Sequence, residues 1–191
     1  MTLPAVSPVV VSKHQGQIFK RGEWFFEPKY DGWRAIYEFD QEGPRFISRG
    51  GKLIARFQDQ ALRISKELTV DSVILDGELT ALDPATGYAR LTDLVRSRKP
   101  IYYMAFDLMY LNGEDLRFKP LRQRKILLSR LLAKTRSVMA VSYTSRLTSG
   151  FLQGLENLGL EGVVIKKLDE SYTTSAQWYK VINPKYKPST I

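Results

Sequence analysis

Short apolar runs separated by turn-forming residues dominate the chain, and runs of this length predict strands. The longest run, 101–111, ends at Asn112-Gly113, a pair typical of turns. The other predicted strands are 24–29, 34–39, 45–49, 73–82, 163–166 and 177–182, with a possible edge strand in the valines at 9–11. Because short turns join several of these runs, the pattern indicates hairpins and mostly antiparallel sheets.

Three segments instead repeat apolar residues at helical spacing. The first predicted helix covers 56–67, where the spacing is carried by Phe57, Ala61, Ile64 and Leu68. A second begins at Pro120 and extends to about residue 133, and a third covers 149–158 and ends at Gly159. The second helix is predicted to pack through a face and edge marked by Ile126, Leu127, Arg130 and Leu131. Strands with interposed helices, and a loop at 83–87, predict an α+β fold.

Length and composition set the class of protein. The chain has 191 residues, 43% of them hydrophobic, which suits one cored domain or one domain with a small appendage. No apolar stretch reaches the roughly 18 residues of a membrane helix, so no membrane partner is expected. There is no cysteine, which excludes disulfides and thiolate metal sites. We therefore expect a cytoplasmic protein, and a monomer.

The charge of the chain is strongly positive. Lysine and arginine number 29 against 20 acidic residues, which gives a net charge of +9 and suggests an acidic partner such as nucleic acid or nucleotide. The segment 117–136 contains eight basic residues and no acidic one. This segment is either a solvated helix face or a surface that contacts phosphates.

A short stretch around Lys29 carries the first chemical signal. Lys29 lies where a predicted strand ends, Gly32 allows a sharp turn, and Arg34 enters the next strand. The spacing K-x-D-G-x-R resembles motif I of the covalent nucleotidyltransferases, the family of DNA ligases, RNA ligases and mRNA capping enzymes. The resemblance implies that Lys29 attacks the α-phosphorus of a nucleotide and becomes a lysyl-nucleotide phosphoramidate, and that Arg34 binds the ribose.

Two acidic segments follow in the order of that family. The sequence DGEL around Glu78 resembles motif III, which implies that Glu78 lies near the ribose and a metal. The sequence EGVVIK resembles motif IV. It implies that Glu161 holds a divalent metal, Val164 packs on one face of the base, and Lys166 lies near the phosphates. Without the resemblance, Glu78 reads as a solvent-facing acid at a strand edge, and EGVVIK as a strand with a charged residue at each end.

Aromatic and basic motifs complete the series. Phe106, in AFDLMYLNG, resembles the motif IIIa aromatic that stacks on adenine, although by itself it reads as core. Lys180, in QWYKVI, resembles the motif V lysine that contacts the α-phosphate. The second lysine usual there is Ile182, so its role is not carried over. Ser48-Arg49 resembles a short motif between I and III, which implies that Arg49 binds the nucleotide, although the asparagine usual after it is Gly50 here.

Three features most resemble the small bacterial and archaeal ATP-dependent DNA ligases, including the end-joining type: Glu27-Pro28 before the lysine, the Phe106 segment and the Pro120 helix. The resemblance implies an ATP-grasp-like adenylation domain over 1–183, with Glu27 also binding the nucleotide. ATP, as covalent AMP, and Mg²⁺ or Mn²⁺ are the implied cofactors, and nicked or broken duplex DNA is the implied partner. Residues 184–191 are expected to be a tail or the start of a linker to an OB-fold domain absent from this chain.

Two other functions remain open. One is an RNA ligase or a capping-type nucleotidyltransferase, which differs in its nucleotide and its acceptor. The other is a basic nucleic-acid-binding module without catalysis. NAD-dependent ligases are not favoured, because they need a cysteine zinc site and an extra N-terminal domain. For catalysis, a lysine at its ordinary pKa is protonated at pH 7, so we expect burial and the cations Arg34, Lys166 and Lys180 to assist Lys29.

Overall fold

The computed structural model describes residues 3–16, 19–82, 91–96 and 99–186. Its strands are Val11–Lys13 (β1), Trp24–Lys29 (β2), Trp33–Asp40 (β3), Gly43–Ser48 (β4), Val73–Ala81 (β5), Ile101–Leu111 (β6), Glu114–Asp115 (β7), Val138–Ala140 (β8), Gly162–Lys167 (β9) and Trp178–Ile182 (β10). Its helices are Gln58–Glu67 (α1), Leu91–Arg96 (α2), Leu121–Leu131 (α3) and Ser149–Asn157 (α4), with a 3₁₀ turn at Ala55–Phe57.

The strands form two sheets. The first has the order β1-β10-β9-β2, and the second has the order β4-β3-β5-β6-β7, with β8 paired to β6. Pairing is antiparallel except between β1 and β10 and between β6 and β8 in the described residues. The predicted α+β fold with mostly antiparallel sheets and flanking helices is confirmed.

Most predicted elements lie within two residues of those observed, but several short ones were missed. The missed elements are α2, β7 and β8, which are too short to show a period. The predicted loop at 83–87 and the end of the predicted tail, 187–191, lie outside the described residues. Among the described residues, no helix has the length and apolar character needed to cross a bilayer.

The edge strand predicted at 9–11 lies two residues later in the structure, at Val11–Lys13. Val9 is fully buried, and its backbone groups bond to side chains instead of to a strand. Its carbonyl accepts a hydrogen bond of 2.6 Å from Arg34, and its N–H lies 3.4 Å from the hydroxyl of Tyr172. Local sequence could not reveal these distant partners.

The largest core lies between the second sheet and helices α1 and α3. Tyr37, Phe46 and Tyr103 pack edge to face or tilted at its centre, with ring centroids 5.1–6.2 Å apart. The hydroxyl of Tyr103 donates to the backbone carbonyls of Ala35 and Leu75, at 2.8 and 3.0 Å, so its polar atom is satisfied. This packing fixes the second sheet that carries half of the candidate site.

Helix α3 packs through a different face from the predicted one. Its buried residues are Leu121, Arg124, Lys125 and Leu128, whereas Ile126 is 47% exposed. The predicted face was wrong because it was chosen from hydrophobic residues alone. Arg124 and Lys125 face inward because each has a buried carboxylate partner, which hydrophobicity does not reveal. Arg124 forms two hydrogen bonds with Asp107, at 2.7 and 2.9 Å.

The basic segment 117–136 is therefore not one solvated basic face. Besides the two buried cations, Arg117 pairs with Asp115, Lys119 with Glu114 and Arg122 with Asp169. Its exposed cations toward and beyond the end of α3 are Arg130, Lys134 and Arg136. Any phosphate-contacting surface on this segment is smaller than the sequence predicts.

The chain crosses from the first sheet to the second between β2 and β3. Gly32 lies at this crossing, and a Cβ atom there would be 2.2 Å from the carbonyl oxygen of Leu79 on β5. Only glycine permits so close an approach. The crossing places the end of β2, with Lys29, against the middle of the second sheet.

Candidate active site

An open cleft with an empty volume of about 850 Å³ lies between the two sheets. Nine of the predicted site residues line it: Glu27, Lys29, Arg34, Arg49, Glu78, Phe106, Val164, Lys166 and Lys180. The tenth, Glu161, contacts Lys29. Residues from widely separated parts of the chain thus meet in one place, although their roles there stay predictions.

Strand register explains how the first sheet contributes to the cleft. Val164 on β9 faces Glu27 on β2 and Lys180 on β10, so these three form one row across the sheet. Lys166 and Trp178 form the next row on the same face, because side chains alternate along a strand. On the second sheet, Arg34 and Glu78 face each other across β3 and β5 in the same manner.

Lys29 is held at the end of β2 by Glu161. The Glu161 carboxylate forms an ion pair with Lys29 Nζ, and its backbone N–H donates to the Lys29 carbonyl at 3.2 Å. Both side chains are partly buried. The next residue, Gly162, has φ of 155°, and a Cβ there would lie 2.1 Å from the carbonyl oxygen of Val181. The turn that presents Glu161 therefore requires glycine.

Glu27 is the centre of a buried group of charges. Lys166 Nζ lies 2.8 Å from Glu27 Oε2, and Lys125 Nζ lies 2.5 Å from Glu27 Oε1. The Lys125 contact is an ion pair without the alignment of a hydrogen bond. All three residues are at most 2% exposed. Burial lowers the pKa of Lys166 to about 8; Glu27 opposes this shift and Lys125 adds to it.

Two aromatic rings enclose the Lys166 ammonium. Its Nζ lies 4.3 Å from the centroid of Phe106 and 3.9 Å from that of Trp178, distances typical of cation–π contacts. The two rings meet edge to face at 5.8 Å. Phe106 and Val164 are only partly buried, so each has a surface turned to the cleft.

Arg34 is tied to the second sheet by Asp76. Its Nε and Nη2 atoms donate to the two carboxylate oxygens of Asp76 at 3.1 and 2.7 Å, and Nη1 donates to the Val9 carbonyl. Tyr172 donates to the same Asp76 carboxylate at 2.7 Å. Three of the five N–H donors of the guanidinium are therefore used within the protein. Fewer donors remain for a ribose, and the Asp76 carboxylate offsets the positive charge near Lys29, so Arg34 can assist less than the sequence predicts.

Glu78 has a raised pKa. Burial raises the pKa of Glu78 to about 8, although Lys29 and Arg34 oppose the shift; Asp76 and Glu161 add to it. No cluster of three or more histidine, aspartate or glutamate side chains suited to a metal occurs in the described residues. A divalent ion here would therefore depend on Glu78, Glu161 and oxygen ligands from outside the protein.

The remaining two predicted residues lie nearer the opening. Lys180 is partly buried on β10, and Arg49 is exposed just after β4. The position of Gly50, where the family usually has asparagine, is exposed and open, with no atom within 4 Å of a Cβ placed there. Ile182 is 40% exposed at the end of β10 and is not among the residues that line this cleft.

Sequence reasoning missed several residues of this region: Val11, Tyr30 and Trp178 line the cleft, and Lys125 contacts Glu27. Trp178 lies two positions before Lys180 on a strand, so the period of two was an available signal for its facing the same cleft. Lys125 had no such signal, because its contact with Glu27 joins a helix to a strand almost a hundred residues earlier.

Comparison with known protein families gives a match over residues 8–181, to the family described as the ATP dependent DNA ligase domain. The match covers most of the 191 residues. The chain belongs to the ATP-dependent DNA ligase family. This membership confirms the family to which the motifs point, and the ligase domain has the fold expected from them.

Individual relatives agree with this assignment. The ligase domain is 28% identical to DNA ligase C1 of Mycolicibacterium smegmatis over 90% of its length and 55% of that protein. It is 29% identical to the multifunctional non-homologous end joining DNA repair protein LigD of Mycobacterium tuberculosis, over 84% of its length and 22% of that protein.

A solved structure gives the same result. Superposition on mycobacterial DNA ligase D complexed with ATP and MES gives a TM-score of 0.80 at 26% identity, and covers 93% of the ligase domain and 60% of that chain. The ligase domain thus spans only part of the relatives it matches.

Proposed function

We propose that this ligase domain transfers AMP from ATP to Lys29. Lys29 Nζ forms a bond to the α-phosphorus as the bond from that phosphorus to the pyrophosphate oxygen breaks. The ammonium must lose its proton for this attack, and Glu161, which contacts Nζ, is positioned to accept it. The products are lysyl-AMP and pyrophosphate, and the AMP is then available for a 5′-phosphate at a DNA break.

One observation carries this proposal. The nine predicted residues that line the cleft come from seven separate segments of the chain, and each was predicted from the sequence to bind or attack a nucleotide. A cleft that brings a lysine, further cations, carboxylates and an aromatic ring together suits a triphosphate bound through a purine base. Lys180 and Arg49 are the cations proposed to bind phosphates near the opening.

The base would bind against Phe106, Val164, Glu27 and Lys166. Because Lys166 Nζ contacts Glu27 and Phe106, we assign Lys166 to the base and not to the phosphates, where the resemblance put it. Phe106 provides an aromatic face and Val164 an aliphatic one. Glu27 and Lys166 offer a hydrogen-bond acceptor and a donor 2.8 Å apart, which complements the 6-amino group and the ring nitrogen of adenine. Guanine presents an acceptor in place of that amino group, so this pair favours ATP over GTP and argues against a capping function.

Replacing Phe106 by leucine is expected to weaken ATP binding about tenfold to a hundredfold, because stacking of a base on an aromatic ring contributes about 1–3 kcal/mol. Titration calorimetry with ATP would measure the change. The matched control is Phe118→Leu, since Phe118 is 77% exposed and lies outside the cleft lining. Unchanged affinity together with a loss of folded stability would assign Phe106 to the core alone.

A divalent ion fits the chemistry of the cleft. Mg²⁺ commonly takes one or two protein carboxylates and completes its shell with water and substrate phosphates. Glu161, through the oxygen that does not contact Lys29, and Glu78, once it has lost its proton, would supply those carboxylates to Mg²⁺ or Mn²⁺. When bound, the ion would neutralise negative charge on the triphosphate as pyrophosphate leaves.

We propose nicked or broken duplex DNA as the acceptor of AMP. In a longer protein, further domains such as an OB-fold would complete the DNA-binding surface. DNA binding by this chain alone would use exposed cations, including Arg130 and Lys134. Its affinity for nicked duplex is expected to fall as salt rises, with a slope of about −0.9 per phosphate contact in a double-logarithmic plot.

The salt slope is best measured by fluorescence anisotropy from low to moderate salt. The double variant Arg130→Gln and Lys134→Gln is expected to have a shallower slope than the unmodified chain. The double variant Lys13→Gln and Lys20→Gln removes the same charge near the start of the first sheet and serves as the control. Equal slopes in all three proteins would exclude Arg130 and Lys134 from the DNA-binding surface.

The adenylation proposal itself is tested by incubating the purified chain with ATP and Mg²⁺ and measuring its intact mass. A gain of one adenylyl group, lost again on addition of pyrophosphate, supports it. Labelling with GTP in place of ATP would instead support the capping-type alternative, and labelling with neither would support the non-catalytic one.

A further inference from the structure

Lys125 is a buried charge that the proposed chemistry does not use. It belongs to none of the motifs, does not line the cleft, and is 2% exposed. It lies on the buried face of α3 with Leu121 and Leu128, a position where an apolar residue would normally pack. Its contacts are the Glu27 carboxylate, 2.5 Å away, and the ring of Tyr143, whose centroid is 5.5 Å away.

We propose that Lys125 is a positioning residue that holds the Glu27 carboxylate toward the base, so that the domain selects purines carrying a 6-amino group. The inference rests on the proposed function, because it gives Glu27 its task within the same cleft.

The geometry supports this role because each oxygen of Glu27 has its own cation. Lys125 approaches Oε1 from α3, and Lys166 approaches Oε2 from β9. A carboxylate fixed from two elements loses the freedom to rotate. It still has lone pairs to spare, since an ionised carboxylate offers about four acceptor sites. One of these can accept from the amino group of adenine.

Stability alone is a poor explanation for a lysine at this position. Replacing a buried ion pair by well-packed apolar residues is often neutral or stabilising. Lys166 already neutralises Glu27, so a second buried lysine leaves the cluster with a surplus positive charge. What Lys125 adds is a fixed direction for the carboxylate, which is held from a second element.

The test compares ATP with purine riboside triphosphate, which lacks the 6-amino group. Calorimetry would give the ratio of the two affinities for the unmodified chain and for Lys125→Met. We expect the ratio to fall about tenfold in the variant, since a hydrogen bond to a charged group contributes that much or more. Lys125→Arg, which keeps the charge, is expected to restore most of the ratio. Arg122→Met removes one exposed charge from the same helix and is the control.

A pH series separates positioning from simple packing. The charged groups that act on Lys166 are Glu27 on β2, Lys125 on α3 and Asp107 on β6. In the unmodified chain the affinity for ATP should weaken as pH rises through about 8, where both Lys166 and Glu78 lose a proton. Lys125 acts on Lys166 and is not among the groups that shift Glu78, so only the Lys166 part of this break should move to higher pH in Lys125→Met.

The outcomes are distinct. A folded Lys125→Met protein with an unchanged nucleotide ratio and an unchanged pH break would overturn the inference, even if its melting temperature fell. If that variant does not fold, Lys125→Gln replaces it, and an unchanged ratio there has the same meaning. Failure of the unmodified chain to acquire AMP from ATP would instead remove the proposed function, whatever the Lys125 variants do.

Discussion

Replacing Lys29 with alanine is expected to abolish covalent attachment of AMP and to leave the domain folded. The attacking atom is lost with the side chain, and no neighbouring lysine contacts Glu161 as Lys29 does in the described residues. The fold should persist because the Lys29–Glu161 pair is partly exposed, and such pairs contribute about 1 kcal/mol or less. Intact mass after incubation with ATP and Mg²⁺ measures the first effect, and thermal melting measures the second.

The matched control for this variant is Lys185→Ala. Lys185 also forms an ion pair with a glutamate, Glu156, but its side chain is 77% exposed and lies outside the cleft lining. The Lys185→Ala variant should acquire AMP as the unmodified chain does. A folded Lys29→Ala protein that still gains one adenylyl group would show that another residue is the nucleophile.

Replacing Glu27 with glutamine is expected to destabilise the fold by about 3–5 kcal/mol, the usual cost of removing one partner of a buried ion pair. The variant keeps the shape of the side chain but leaves the ammonium groups of Lys125 and Lys166 facing a neutral amide. Urea unfolding at pH 7 would measure the loss. The same variant should also lose its preference for ATP.

The pH dependence of this variant has a definite sign. Glu27 opposes the lowering of the Lys166 pKa, so its removal lowers that pKa further below the value in the unfolded chain. Between the two pKa values the unfolded state binds more protons, and the free energy of unfolding therefore rises with pH. The stability of Glu27→Gln should recover partly between neutral pH and about pH 10.

Glu38→Gln on β3 is the control for Glu27→Gln. Glu38 pairs with Arg45 at 2.8 Å, but both side chains are partly exposed, so the loss should be about 1 kcal/mol or less. Equal losses of unfolding free energy in the two variants would mean that the Glu27 cluster contributes no more to stability than a partly exposed ion pair.

The sequence predicted most strands because their apolar runs and turn residues are local signals. The run 101–111 and the run 24–29 have the bounds of β6 and β2. The assembly of the strands into sheets was less accessible, since β2 pairs with β9, more than a hundred residues later. The motifs nevertheless predicted which residues line the cleft, because each motif is recognised by its residue types and needs no knowledge of strand pairing.

What the sequence could not give was the set of partners that hold the site residues. The sequence predicts that Arg34 binds the ribose but does not reveal that Asp76 holds its guanidinium. Lys125 belongs to the basic segment 117–136, yet it is buried against Glu27. Both cases concern charges whose partners are distant in sequence. The domain limits 1–183 and 184–191, the monomeric state and the cytoplasmic location stay predictions.

The most direct measurement for the central claim is peptide mapping of the chain after incubation with ATP and Mg²⁺. The account predicts one adenylyl group on the peptide that contains Lys29, linked through its Nζ and released as ATP when pyrophosphate is added. An adenylyl group mapped to any other residue, or a folded protein that carries none under these conditions, would contradict it.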